Sequence, residues 1–342
     1  MVICSPQLGL APESNSGGEV YDREVINHLC QKGVKILTLL PKGRPYRPQR
    51  NLTVEYAPIK SMFPPQVFSA FVLPYLIKTY RREKFDLLRA HNPYFIGPAA
   101  AVFKKIYPQV PLVASVLHLE ARKFWGNYDH IITISKSTKK EIIESLNYPR
   151  EKITVAYPGV DQRFKPGKKQ SGKFTIMFVG GLKPRKNPEF LLEVLAKVNR
   201  PDVELVFAGD GPLRHRLKGE NVWVIGFIKE KDKPKIYHQA DVVVLPSIKE
   251  GFGMTLVEAG ASGLPVVGNH CWSIPEIIQD GVTGFLAEPG NAADWAQKLI
   301  QLIKSPSLCR QLGAAGRQQA LTKFTWEKNI ATQLKVYENL IC

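Results

Sequence analysis

Cysteine is scarce and scattered. The five residues, Cys4, Cys30, Cys271, Cys309 and Cys342, form no CxxC pair. That spacing excludes a disulfide framework and the usual zinc motifs, and it suits a reducing cytoplasm. Long apolar runs are also missing. The longest, Val67 to Ile77, is eleven residues and holds Pro74, well short of the roughly 20 that a membrane-spanning helix needs. The opening MVICSPQLG has neither a basic n-region nor a long apolar core, so no signal peptide is expected. The third shortage is of acids: 30 Asp+Glu stand against 47 Lys+Arg, a formal charge of +17. The excess is uneven, with 24 basic against 13 acidic residues in 1–165 (+11) and 23 against 17 in 166–342 (+6). A basic balance favours an anionic partner, whether nucleic acid, an anionic bilayer surface or phosphorylated substrates, unless it serves solubility alone. No basic–aromatic reader motif occurs, so nucleic acid is not expected as a partner.

What is present is a chain of 342 residues with ordinary hydrophobic (44%) and charged (23%) content, enough for two domains with their own cores. Short β-branched runs alternate with amphipathic stretches, which predicts α/β architecture with parallel sheets. In the first half the strands are expected at 2–4, 34–40, 52–57, 86–91, 111–118, 130–135 and 152–157. In GGEVYDREVINHLCQKG, Val20, Val25, Ile26 and Leu29 approximate a helical stripe ending near Gly33. The second half restarts the cycle at 174–180, 203–209, 222–227, 241–247, 264–268 and 284–288. YPGVDQRFKPG (157–167), with two prolines and two glycines, is expected to link the domains. Residues 1–157 and 158–324 are read as two Rossmann-like domains, with a last helix from about Thr325 to Leu340 packing back on the first.

The strongest chemical signal is EGFGMTLVEAGASGLPVV, 250–267. It follows the buried-type strand DVVVLPS. Gly251 and Gly253 permit close backbone approach, and Met254 to Gly260 reads as a helix. Glu250 is therefore expected in a loop and Glu258 a turn or more into the helix. The helix start offers free N–H groups to an anion such as a diphosphate, and carboxylates so placed can accept hydrogen bonds from sugar and ribose hydroxyls. The alternative is a plain strand–turn–helix with solvated acids. PRKNP, 184–188, puts Arg185 and Lys186 before a helix expected from Pro188, a natural diphosphate clamp. Ser16-Gly17-Gly18-Glu19 lies between the first strand and helix and does not match GxGxxG, which argues against a dinucleotide site. The long loop before it, Pro6 to Ser14, is a candidate acceptor wall. His118 closes the strand PLVASVLH, and His91 closes another at AHNPYF. Strand C-termini of open parallel sheets point into ligand crevices, although a lone histidine is more often structural.

With these motifs in order the chain resembles the retaining glycosyltransferases of family four, which have the GT-B fold: two Rossmann-like domains facing across a cleft. The resemblance is carried by SGGEVYDREVINHL, VLH, ITISKSTKKEI, YPGVD, FVGGLKPRKNPEFLLEVL, FAGDGPLRHRL, VIGFI, YHQADVVVLPS, EGFGMTLVEAGASGLPVV and IPEIIQDGVTGFL, over almost the whole chain. It implies a first domain that binds the acceptor and a second that binds a nucleotide-sugar. It implies that Glu250, with Gly251 and Phe252, contacts the transferred sugar. Glu258, with Gly226 and Phe227, contacts the nucleotide. Gly18, Arg185, Lys186, Gly253, Met254 and Thr255 hold the diphosphate. His118 stands near the reacting carbon, and His91 is a weaker acceptor-side candidate. Two departures stand out. The family's arginine after the first glycine is here Gly181, so Arg185 is a candidate replacement. The aspartate that usually follows the histidine is here Leu119.

The implied reaction moves a hexose from a nucleoside-diphosphate sugar to an acceptor hydroxyl with retention. The basic residues and helix start stabilise the departing diphosphate, so neither metal nor cofactor is expected. Domain closure would align the reactants and expel water. Candidate acceptors include lipid-linked and cell-surface glycan precursors. The basic first half, with FPPQVFSAFVLPYLIKTYRREK (63–84), suggests peripheral association of a cytoplasmic protein with anionic membrane. The rival readings are a sugar-nucleotide epimerase on the same fold and a basic non-catalytic subunit.

Overall fold

The computed structural model describes residues 1–14, 17–60, 65–91, 93–118, 127–169 and 172–341. Ser16 and Leu119, named above, lie outside the described residues. The chain divides into two compact units, Met1–Pro158 with Trp326–Cys342, and Gly159–Thr325.

In the first unit the described residues form a parallel sheet of β1 (Val2–Cys4), β2 (Lys35–Lys42), β3 (Leu52–Lys60), β4 (Leu87–His91), β5 (Leu112–Val116), β6 (His130–Thr133) and β7 (Ile153–Val155). The spatial order is β3-β2-β1-β4-β5-β6-β7. Helices α1 (Gly17–Gln31), α2 (Pro65–Arg82), α3 (Pro93–Ile106) and α4 (Lys136–Leu146) connect the strands. Strands covered on both faces read as mostly apolar runs rather than alternation, as in Val242–Leu245; β4 and β5 are buried at every position although β4 carries Arg89 and His91. Val25, Ile26 and Leu29 of α1 are buried as the stripe requires, while Val20 is only half-buried. β2 and β3 run two and three residues past their expected ends, whereas β5, β6 and β7 each stop two residues short. β5 stops at Val116, whose neighbour Thr133 is the last residue of β6. With no ladder partner beyond that point, Leu117 and His118 leave the sheet.

The second unit repeats the plan. Its strands are β8 (Phe174–Val179), β9 (Val203–Ala208), β10 (Val222–Gly226), β11 (Val242–Leu245), β12 (Val266–Asn269) and β13 (Phe285–Ala287), in the order β10-β9-β8-β11-β12-β13. Around them run α5 (Phe190–Val198), α6 (Lys233–Tyr237), α7 (Met254–Ala261), α8 (Ile274–Ile277), α9 (Ala292–Lys304) and α10 (Pro306–Lys323). The helix expected from Pro188 begins instead at Phe190, and Pro184–Lys186 make a separate 3-10 turn. Pro184 and Pro188 lack an N–H to donate. The local bonds are i→i+3, from Asn187 N to Pro184 O at 2.9 Å and from Leu191 N to Pro188 O at 3.1 Å.

The last helix, α11 (Trp326–Ile341), belongs to the first unit. Its polar side chains hold it there. Asn329 Nδ2 donates to Ala156 O (3.1 Å) and Tyr157 O (2.8 Å). Gln333 Nε2 donates to Asn329 Oδ1, and Tyr337 OH donates to Gln333 Oε1, each at 2.7 Å. Trp326 packs on Tyr21 and His28 of α1, with ring centroids 5.9 and 5.4 Å apart. Among the described residues no helix is long and apolar enough to cross a membrane.

Candidate active site

An open parallel sheet binds ligands beyond its strand C-termini, where the strand order reverses. In the second unit that point lies between β8 and β11. The loop after β8 carries Gly180 to Lys186, and the loop after β11 carries Pro246 to Gly253, so the fold brings the two strongest motifs together. Lys186 donates to Glu250 Oε2, which also accepts from Ser247 Oγ at 3.0 Å. Arg185 Nη1 lies 3.9 Å from Glu250 Oε1, and Ile248 N donates to Arg185 O at 2.9 Å. Lys186 is well covered, with 13% of its side chain exposed against 57% for Arg185. Burial alone would push the Glu250 carboxyl up. The Lys186 charge and hydrogen bond, with smaller help from Arg185 and Ser247, overcome this and hold it below its ordinary value.

The Glu250 loop is fixed by residues that the motif reading did not single out. Ser273 Oγ donates to the carbonyls of Glu250 and Phe252, both at 2.9 Å. Asn269 Nδ2 donates to Pro246 O (2.9 Å) and Ser247 O (3.0 Å), while Trp295 Nε1 donates to Asn269 Oδ1 at 3.2 Å. Buried carbonyls that leave a sheet need such donors, and the hydroxyls and amides after strands were the available signal. Gly253 caps α7 with φ of 108°, and a Cβ there would stand 3.3 Å from Ile277 Cδ1, so glycine is required. No side chain caps α7. The N–H groups of Met254 and Thr255 therefore open the helix as an anion would need. The Phe252 side chain is turned into the core, which leaves only its backbone to a ligand. Its ring is 2% exposed and packs edge-on against Phe324 at 5.4 Å, because an apolar ring gains more in the core.

Glu258 projects from α7 into a buried polar pocket. Tyr237 OH donates to its Oε2 at 2.7 Å, and Lys233 Nζ lies 3.5 Å from its Oε1. Lys233 is shared with Glu230 at 2.5 Å. Burial is the largest influence and raises the Glu258 pKa, the Lys233 charge opposes it, and the nearby Glu230 adds to the rise. Gly226 has φ of 82° and bridges Gly209 of the loop after β9. A side chain at Gly209 would place its Cβ 1.8 Å from Gly180 O, so glycine lets this loop lie flat on the clamp loop. Phe227, next to Gly226, is half-exposed.

In the first unit, Gly18 sits in the opening turn of α1. Glu19 turns back to accept from Ala11 N (2.8 Å) and Ser14 Oγ (2.7 Å), fastening the loop before α1. His118 is exposed two residues beyond β5, not at the strand's end as expected, and its carbonyl accepts from Tyr94 OH. His91 does end β4 and is 8% exposed. Its Nδ1 lies 3.0 Å from Asp22 Oδ1, which also pairs with Arg89 Nη2 at 2.5 Å. Asp22 and Arg89 are fully buried. Burial opposes ionisation of Asp22, but the charges of Arg89 and His91 outweigh it and hold the carboxyl well below the usual range. This cluster, invisible as a motif, stands at the first sheet's own reversal point between β1 and β4.

Two α/β units, each with its polar residues gathered beyond a reversal of strand order, are the make-up of the GT-B fold. Known proteins agree. Residues 160–319 match the family described as Glycosyl transferases group 1, and residues 15–164 match Glycosyltransferase Family 4; the chain belongs to the family-four type of these enzymes. A glycosyltransferase of Methanocaldococcus jannaschii is 28% identical over 78% of this chain and 81% of its own. Sucrose-phosphate synthase from Thermosynechococcus elongatus superposes with a TM-score of 0.83 at 17% identity, covering 99% of this chain and 98% of that one. The Anabaena protein HepE, in complex with UDP and glucose, gives 0.77 at 20% identity with the same coverage.

Proposed function

We propose that this glycosyltransferase moves a hexose from a nucleoside-diphosphate sugar to an acceptor hydroxyl with retention and without a metal ion. The observation that carries the reading is the meeting of Lys186, Arg185 and the uncapped start of α7 around Glu250. Two cations and free N–H groups suit a diphosphate, and their charge stabilises the leaving group as the glycosidic bond breaks. Glu250 accepts hydroxyls of the transferred sugar, and Glu258 holds the ribose. The complexes of HepE with UDP, and with UDP and glucose, support a nucleotide-sugar donor. Those basic groups do the work that a divalent cation does elsewhere, so activity should persist in excess chelator. The decisive experiment is thermal shift with UDP-, GDP- and ADP-sugars, since a ligand of the folded state raises the melting temperature. Anomeric analysis of the product from the donor that binds then follows. No shift with any donor would refute the reading, and product without acceptor would make the chain an epimerase.

The acceptor side is read from the first unit, where His91 ends β4 and His118 stands beyond β5. A lipid-linked acceptor and a cytoplasmic-face membrane location fit the α2 surface on which the exposed Pro74, Lys78 and Arg81 adjoin the half-buried Leu73 and Ile77. Co-sedimentation with anionic vesicles should fall as salt rises; equal binding to neutral vesicles would return this charge to solubility.

A further inference from the structure

Trp272 holds a backbone conformation that its side chain disfavours. Its φ is 52°, in the left-handed region. The other non-glycine residues there, among the described residues, are the asparagines 51, 147, 187, 199 and 221, whose short polar side chain tolerates it. A bulky ring does not, and such strain persists where the surroundings impose it, most often at functional sites. Here both neighbours impose it. Cys271 N donates to Asn269 O at 2.8 Å, and its Sγ lies 3.6 Å from Ser247 O. On the other side Ser273 grips the carbonyls of Glu250 and Phe252. Trp272 is thus set between two residues that clasp the Glu250 loop.

The ring gains little packing from this placement. Trp272 is 39% exposed, whereas Trp295 is fully buried. The Lys249 ammonium lies 4.5 Å from its ring centroid, and Ile248 beside it is also exposed. The chain therefore accepts strain to keep a large, flat, apolar ring partly exposed on the segment that clasps the Glu250 loop.

We propose that Trp272 is the platform for the transferred hexosyl group of the donor and so a determinant of sugar recognition. A pyranose carries hydroxyls at its rim and C–H groups on its faces. Glu250 takes the hydroxyls, and the indole covers a C–H face at low entropic cost because it is rigid. This inference rests on the reading of Glu250 as the sugar-binding carboxylate.

The test is calorimetric titration of the full chain with a nucleoside diphosphate and with its hexose conjugate. UDP and UDP-glucose, GDP and GDP-mannose, and ADP and ADP-glucose are tried, and the pair that binds the wild type is used. Trp272→Asn suits the same backbone and deletes the ring. It should lose on the order of tenfold in affinity for the conjugate while binding the diphosphate as the wild type does, and Trp272→Phe should recover most of the loss. Trp272→Gly, which the backbone also favours, makes the same comparison should the Asn variant not fold. Equal weakening of both ligands would make Trp272 a brace for the loop. An unchanged conjugate affinity would make it idle. Either outcome overturns the proposal. A wild type that binds no nucleoside diphosphate at all refutes instead the reading of the whole site.

Discussion

Lys186 and Glu250 form an ion pair across the reversal point of the second sheet, joining the loop after β8 to the loop after β11. A diphosphate that takes Lys186 must first draw it from Glu250. Glu250→Gln should therefore abolish transfer yet leave the affinity for the free nucleoside diphosphate unchanged or higher, since Lys186 is released. Lys186→Ala should weaken the same ligand by roughly 10- to 150-fold, the worth of a charge-assisted hydrogen bond. Calorimetry reads both, and parallel losses in the two variants would show that Glu250 does not compete for the lysine.

Arg185 is more exposed than Lys186 and stands farther from Glu250. Arg185→Ala should cost less donor affinity than Lys186→Ala, and the double variant less than the sum, because the two share one diphosphate. A side chain at Gly181 would first meet the flexible Lys183 chain, at 3.6 Å, so an arginine there has room. Recovery of donor use by Gly181→Arg in the Arg185→Ala background would show that both positions serve one phosphate. No recovery, with a nearly silent Arg185→Ala, would leave Arg185 a surface charge.

Glu258 trades stability for its place. Its folded pKa lies above the ordinary 4.5, so the folded state binds more protons than the unfolded one between those values. Stability then falls as pH rises through that interval. Glu258→Gln should melt higher than the wild type at pH 7, with the difference fading below about pH 4.5, while nucleotide affinity drops on the order of tenfold. A variant that melts lower at neutral pH would refute the burial penalty.

Asp22 has the opposite sign. Its pKa is held below the ordinary 3.8, so its contribution is complete above that value and is lost as acid protonates it well below. Asp22→Asn strands Arg89 without a counter-charge in the core and should cost about 3–5 kcal/mol in urea unfolding at pH 7. The deficit should shrink toward strong acid. The double change Asp22→Leu with Arg89→Met should restore much of the stability; equal stability of wild type and Asp22→Asn would mean that the pair contributes nothing.

The strand cores were legible in the sequence because a strand buried on both faces is mostly apolar, as in Val242–Leu245; β4, equally buried, keeps Arg89 and His91 because Asp22 pairs with them. Element ends were not, since a strand stops where its neighbour stops, as β5 does opposite Thr133. Glu250, Lys186 and Gly253 could be found as a motif because each must have its own side chain, or none, at a fixed distance from a strand end. The Phe252 ring could not be placed, because an aromatic side chain serves a surface or the core, and only the presence of Phe324 decides.

By itself the sequence determined the two α/β units, the parallel character of their strands and the residue types of the donor loop, all of which depend on local periodicity and spacing. The tertiary structure decided the pairings between distant positions: Lys186 with Glu250, Tyr237 and Lys233 with Glu258, and Asp22 with Arg89 and His91. It also decided that Trp272 would keep its ring in the open. The physical reason is that burial and Coulomb attraction act between side chains that the order of strands brings together, and that order is not encoded in the spacing of any single segment.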